Sequence, residues 1–259
     1  MDHVARRAAR VGPVATVRAA VGLLTRLPVG TVADDPGATA FAAVGTVIGL
    51  LGALPVVVFG LAGEPVLGAI AAIGTIAAVS GGLHLDGLAD TADAMLAPSP
   101  PAAEYARKDP AIGPGGVTAM LIVLGGQVAA LASVSASSGP VVAGAIVVVG
   151  GSVSRWLPVV AVVLLRRRVA PYGLGAWFGA HVSAWDAIIG AATVIAVTAA
   201  TVAIAGWTMA IAAATGVVVG IAGTALAARA RGRLDGDGLG LCVEIALTAT
   251  LVSLAVIVR

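Results

Sequence analysis

The segment Leu83-His84-Leu85-Asp86-Gly87-Leu88-Ala89-Asp90-Thr91-Ala92-Asp93 carries three carboxylates spaced by four and three residues. At about 100° per residue, a helix there sets Asp90 and Asp93 within about 40° and 20° of Asp86, so all three share one stripe while His84 points away from it. Carboxylates that close repel one another and raise each other's pKa unless a cation neutralises them. An all-oxygen site suits Mg²⁺, which keeps several waters, takes one or two carboxylates and completes its shell with substrate phosphates. The stripe therefore predicts a metal site at Asp86, Asp90 and Asp93 with phosphate chemistry beside it. The competing reading is a solvated acidic face at a helix end; the cost of charges next to membrane spans weighs against it.

Two further segments offer polar groups of matching kinds. Arg107-Lys108-Asp109-Pro110-Ala111-Ile112-Gly113-Pro114-Gly115-Gly116 opens an apolar run. Its glycines let backbone N–H groups approach an anion at a helix N-terminus, where the macrodipole favours negative charge. Taken alone, the segment reads as an ordinary turn flanked by basic residues. Leu234-Asp235-Gly236-Asp237-Gly238-Leu239-Gly240-Leu241-Cys242-Val243-Glu244 sets Asp237 and Glu244 at and just inside another apolar run. It lacks the spacing and closing Glu of a calcium loop, so it is not an EF-hand. Glu244 is either a helix-entry acid facing water or a membrane carboxylate that needs a partner.

Single residues add to this inventory. Arg155, within Ser152-Val153-Ser154-Arg155-Trp156, falls near the middle of an apolar run, where a guanidinium is costly unless it meets a carboxylate or phosphate. Arg26, in Thr25-Arg26-Leu27-Pro28, lies at the membrane edge, where its stem can snorkel. His181 and Asp186 fall in a polar loop and read as solvated. Cys242 is the only cysteine, which excludes an intramolecular disulfide and reads as a small buried apolar residue. No nucleophile elbow, P-loop or dinucleotide fingerprint is present.

The elements that position these groups follow from composition. The 259 residues are 59% apolar and 11% charged, with a mean hydropathy of +1.05, against roughly 25% charged in soluble domains. The expected fold is all-α: a polytopic membrane bundle of about seven transmembrane helices with a polar site on its cytoplasmic side. One integral domain covers 1–259, with 1–40 a basic interfacial segment and 41–259 the bundle. Arg18 interrupts the apolar run that begins at Val11, which argues against a cleaved signal peptide. Spans are expected near Phe41 to Leu61, Val66 to Leu83, Val117 to Val134, Val141 to Leu165, Trp185 to Ala205, Trp207 to Ala228 and Leu241 to Val258.

Starting the N-terminus with its Arg6, Arg7 and Arg10 inside and crossing seven times leaves the loops that carry Arg107-Lys108, Arg166-Arg167-Arg168, and Arg229, Arg231 and Arg233 in the cytoplasm and only Arg259 outside, as positive-inside bias requires. The three polar segments then meet on one face. Aromatics make up 3% while Ala, Gly and Val dominate, which predicts closely packed helices in a lipid bilayer and is compatible with an oligomer. A net charge of +2 argues against a nucleic-acid partner.

Taken together, Leu83 through Asp93, Asp109 with Ile112-Gly113, Ser154-Arg155, and Gly236-Asp237 with Leu239-Gly240 and Glu244 resemble the cobalamin synthases, which are adenosylcobinamide-GDP ribazoletransferases. The likeness runs in the same order from Thr25-Arg26-Leu27-Pro28 to Glu244. It implies an integral enzyme of the cytoplasmic membrane in which α-ribazole, or its 5′-phosphate, displaces GMP from adenosylcobinamide-GDP with Mg²⁺ as cofactor. It further implies that Asp86, Asp90 and Asp93 hold one or two Mg²⁺ ions against the diphosphate, one of them helping to deprotonate the attacking hydroxyl. Arg26, His84, Arg107, Lys108, Asp109, Gly113, Arg155, Asp237 and Glu244 form the implied substrate- and phosphate-binding set. The chain departs from the family pattern at Asp109-Pro110-Ala111, where the family has Asp-Ser-Arg, and at Ala94, where it has Gly. Arg107 or Lys108 is left to supply that phosphate contact.

Three other classes stay in view. The Asp86-Gly87 core is similar to that of the CDP-alcohol phosphatidyltransferases, whose full pattern is not matched. A cation-coupled transporter would also carry residues such as Arg155 and Glu244, but it gathers its charges near the midplane, whereas most acids here fall at one face. A scaffold subunit would make none of the acidic residues individually important.

Overall fold

A computed structural model describes residues 12–30, 35–108 and 111–258, and they fold almost entirely into α-helices. An N-terminal helix α1 (Pro13–Leu24) is followed by α2 (Phe41–Leu61), α3 (Pro65–Ser80), α4 (Leu83–Leu96) and α5 (Pro100–Lys108). Then come α6 (Pro114–Ser138), α7 (Pro140–Leu164), α8 (Gly173–His181), α9 (Ala184–Ala205), α10 (Thr208–Ala230) and α11 (Gly236–Ile257). Proline opens α1, α3, α6 and α7, where its missing N–H costs nothing and its fixed φ is already helical.

Among the described residues six helices, α2, α6, α7, α9, α10 and α11, are long and apolar enough to cross a membrane, and the bent pair α3–α4 makes seven when counted as one span. The expected spans coincide with these helices apart from shifts at their ends. Large apolar side chains such as Leu54, Leu121, Ile122, Ile195 and Val218 remain exposed, as befits helices whose outer faces meet lipid. The N-terminal segment expected to be interfacial includes α1, which turns Ala19, Ala20 and Leu24 inward. Arg6, Arg7 and Arg10 lie outside the described residues.

Helix α7 is the most enclosed of the set, packing against α2, α9, α10 and α11. Its approach to α2 is backbone to backbone. A Cβ on Gly151 would lie within 2.9 Å of the Gly49 Cα, and one on Gly49 within 2.8 Å of the Val147 carbonyl oxygen. Small residues supply the association that hydrophobicity cannot supply inside lipid.

The bend of 92° between α3 and α4 falls on Gly81 and Gly82, both left-handed at φ 63° and 72°, a conformation that residues with a Cβ avoid. Helix α3 is the apolar part of the pair. Helix α4 carries the acids and turns away from that axis to pack against α6 and α11.

The polar loop expected at His181 and Asp186 is in fact the junction of α8 and α9. Asp186 occupies the first turn of α9, where its carboxylate accepts hydrogen bonds of 2.7 Å from both the N–H and the hydroxyl of Ser183. It is a capping-box acid rather than a solvated one. Cys242 is buried, as its surroundings in sequence suggest.

Overpacking at the α2–α7 seam gives a direct test. Gly151→Leu should cost about 1–3 kcal/mol or more, lowering the melting temperature in detergent. Gly74→Leu, at a site with open space around it, should leave melting nearly unchanged.

Candidate active site

The acidic helix α4 meets the start of α11 without side chains between them. A Cβ on Gly87 would lie 2.8 Å from the Asp237 carbonyl oxygen and 3.1 Å from the Gly240 Cα, and one on Gly240 would lie 3.1 Å from the His84 carbonyl oxygen. This approach sets Asp86 and Asp90 of α4 beside Asp237 of α11. The Asp90 carboxyl is pushed up to about 6 by partial burial and by the charges of Asp86, Asp237 and Asp93, with Arg231 opposing them. Negative charge is thus concentrated on one side of α4 and only partly offset.

Asp93 has a specific partner. One of its carboxylate oxygens accepts from the Gly113 N–H at 2.8 Å and the other from the Gly116 N–H at 2.9 Å, capping the N-terminus of α6. The glycines of this segment do open a helix N-terminus to an anion, and the anion present is the Asp93 carboxylate. A Cβ on Gly116 would lie 2.6 Å from Asp93 Oδ2, and one on Gly113 would collide with the same carboxylate. The Gly113 N–H assigned to phosphate from the sequence is therefore engaged within the protein.

Arg231, just past α10, ties the same region together. It donates to Thr91 Oγ1 at 3.0 Å and to Asp235 Oδ2 at 2.7 Å, and lies 3.7 Å from Asp237 Oδ2. Asp235 caps α11 by accepting from the Gly238 N–H at 3.1 Å, and also accepts from Arg233 Nε at 3.1 Å. Burial alone would raise the Asp235 carboxyl, but Arg231, the Gly238 N–H and Arg233 together hold it below the usual carboxylate range. Both residues escaped the sequence reading, which took Arg231 for a topology signal. The spacing of four residues between Arg231 and Asp235 was the available clue.

Beside the acids lies a cavity of about 230 Å³, walled by the ends of α1, α2, α4, α7, α8 and α11. Asp86, His84, Asp235 and Asp237 line it together with apolar residues that include Phe41 and Phe178. These two rings stack with centroids 5.4 Å apart.

Deeper in the bundle, Glu244 is buried and accepts from Gln127 Nε2 at 3.0 Å, so it does not face water. Arg155 is fully buried, donating from Nη1 to Ser154 Oγ at 2.9 Å. It is within electrostatic reach of Glu244 and of His84. Arg155 Nε and Nη2 and His84 Nε2 are buried without a hydrogen-bond partner, a rare condition for polar atoms.

Arg26 is exposed, its N–H bonded to the Val79 carbonyl at 2.9 Å and its side chain lying across Gly81. It braces the α3–α4 turn. Arg107 and Lys108 end α5, and Asp109 lies outside the described residues. Among the described residues no group of three or more His, Cys, Asp or Glu is arranged to hold a metal ion by itself. An open set of carboxylates is nonetheless what Mg²⁺ uses when phosphate oxygens and water complete its shell.

Two outcomes are expected from this geometry. Asp93→Ala should loosen the α4–α6 junction by about 1 kcal/mol, seen as faster amide exchange at Gly113 and Gly116. For Asp90, the folded pKa exceeds the unfolded one, so the folded state holds an extra proton between about pH 4 and 6 and loses stability as pH rises through that window. In chelator, Asp90→Asn should therefore melt above wild type at pH 7.5 and level with it near pH 4.

The family model described as cobalamin-5-phosphate synthase matches residues 16–255. The chain is similar to the adenosylcobinamide-GDP ribazoletransferase of Nocardioides sp., 33% identical over 248 residues that cover 92% of this chain and 97% of that protein. It is also similar to the protein of the same name from Rhizobium johnstonii, 33% identical over 222 residues, covering 83% and 84% respectively. With that of Thiobacillus denitrificans it shares 38% identity over 120 residues, 43% of this chain and 48% of that protein. No solved structure matches.

Proposed function

The chain belongs to the cobalamin-5-phosphate synthase family, and we propose that it is an adenosylcobinamide-GDP ribazoletransferase whose reacting groups lie along Asp86, Asp90 and Asp237. The observation that carries the siting is the cluster of mutually repelling carboxylates where α4 touches α11, beside an open cavity. Family membership decides against the transporter, scaffold and phosphatidyltransferase readings. In the proposed reaction a ribose hydroxyl of α-ribazole, or of its 5′-phosphate, bonds through oxygen to the phosphorus on the cobinamide side of the diphosphate. The bridging P–O bond breaks and GMP leaves with its electron pair.

The donor set fits Mg²⁺. Its ligands would be carboxylate oxygens of Asp86 and Asp90 on α4 and of Asp237 on α11, all of one hard type. Asp93, fixed on the α6 N-terminus, adds charge from its place on the stripe. When bound, the cation supplies charge neutralisation to the diphosphate, which is the main requirement of phosphoryl transfer. The proton of the attacking hydroxyl goes to a carboxylate of this set.

The bent α3–α4 pair holds the acids to one end of the bundle, so the reacting atoms are aligned by packed helices rather than by a mobile loop. The basic residues Arg166, Arg167, Arg168, Arg229, Arg231 and Arg233 support a cytoplasmic orientation of that end.

Purified protein in detergent should release GMP only when adenosylcobinamide-GDP, α-ribazole and Mg²⁺ are all present. Asp90→Asn should lower the rate by roughly 10²-fold or more while still inserting into membranes. Turnover by that variant at the wild-type rate would sink the assignment of Asp90.

A further inference from the structure

The contact between α4 and α11 brings two backbones together without fixing their register. Gly87 meets Asp237 and Gly240, while His84, one turn earlier on α4, meets Gly240, so the helices run in opposite directions along the seam. Glycine permits such an approach but offers no side chain to stop one helix sliding on the other. At one end of the seam Arg231 supplies a stop, donating to Thr91 on α4 and to Asp235 at the start of α11. The other end has polar groups of its own. His84 lies seven residues before Thr91, and Glu244 seven after Asp237. Seven helical residues return to within about 20° of the same face, so both lie on the faces that form the seam. Arg155 of α7 is within electrostatic reach of each.

We infer, resting on the proposed function, that Arg155 and Glu244, together with His84, form a buried polar knot that holds α4 in register on α11 and so sets the spacing of Asp86 and Asp90 from Asp237. Arg155 and Glu244 are positioning residues rather than substrate contacts. Arg155 is 0% exposed, and α2 closes over its stem, where a Cβ on Gly45 would lie 2.8 Å from the Arg155 Cβ. A substrate phosphate does not reach a guanidinium so enclosed. Glu244 is held from the α6 side by Gln127 Nε2 at 3.0 Å, the same nitrogen donating to Thr248 Oγ1 at 3.0 Å. The knot thus joins α4, α6, α7 and α11. Arg155 Nε and Nη2 and His84 Nε2 are buried without a hydrogen-bond partner. Internal water satisfies polar atoms of this kind where protein groups do not, and water shared by guanidinium, imidazole and carboxylate completes the knot. Opposite charges buried this deeply add little net stability, because desolvation offsets their attraction; what they contribute is specificity of register.

A double-mutant cycle on the full chain in detergent tests this. Arg155→Met and Glu244→Leu each strand one buried charge and should lower the melting temperature by several degrees, whereas the double variant, with neither charge, should melt near wild type. The double variant should nevertheless lose roughly 10-fold to 10²-fold in kcat, with both substrate KM values within about twofold of wild type. Its Mn²⁺ affinity, read by EPR with adenosylcobinamide-GDP present and α-ribazole absent, should fall about tenfold, because the carboxylates no longer converge. Arg155→Lys keeps the charge and gives up the planar fork of donors, so its kcat and Mn²⁺ affinity should fall between those of wild type and the double variant. Should the double variant fail to fold, Arg155→Lys decides, and wild-type values for it overturn the inference. A double variant that turns over and binds Mn²⁺ like wild type does the same. So does a raised KM for either substrate with Mn²⁺ affinity unchanged, which would make Arg155 or Glu244 a substrate contact. Wild-type protein that releases no GMP under any condition overturns the proposed function itself. Active wild type beside an unimpaired double variant overturns only the register device.

Discussion

Between Gly87 on α4 and Gly240 on α11 there is no room for a methyl group. Every acidic residue proposed for the reaction is positioned relative to that contact, because it lays the Asp86–Asp90 face of one helix against the first turn of the other. The contact is reachable only because two consecutive left-handed glycines, Gly81 and Gly82, swing α4 off the axis of α3. A straight continuation would have pointed α4 along the axis of α3 instead of laying it against α6 and α11. The bend is thus what brings the acids to the start of α11.

The charges gathered there are treated differently by their neighbours. Asp93 is satisfied by two backbone N–H groups at the start of α6, and Asp235 by Arg231, Arg233 and the α11 N-terminus. These two carboxylates are structural anchors. Asp90 has no comparable compensation, and its raised pKa is the mark of it. Uncompensated charge in a packed site is a liability that folding alone would remove, and the proposed Mg²⁺ would supply the missing compensation.

Much of this was legible in the sequence. Hydropathy located the spans, and the one-face spacing of Asp86, Asp90 and Asp93 located the acidic helix, because both depend on local periodicity. What periodicity cannot carry is the identity of a partner distant in the chain. The glycines after Ala111 announced an anion at a helix N-terminus, but only the packed bundle shows that the anion is Asp93, twenty residues before Gly113. Arg231 looked like a topology marker because its hydrogen bonds to Thr91 and Asp235 span a loop and a helix crossing. Glu244 admitted two readings until its bond to Gln127 settled that it is buried. The cavity is invisible to sequence, since its walls come from six separate helices.

The shortness of α3 bears on the lipid as well as on the protein. Its 16 residues make a rod of about 24 Å at 1.5 Å per residue, against a hydrocarbon thickness of roughly 30 Å. The longer helices around it have no such deficit, and a span of that length is accommodated by local thinning of a bilayer, by snorkelling of flanking residues or by association with its neighbours. The thickness of a surrounding bilayer would then be a variable that bears on the α3–α4 turn and, through it, on the acids of α4.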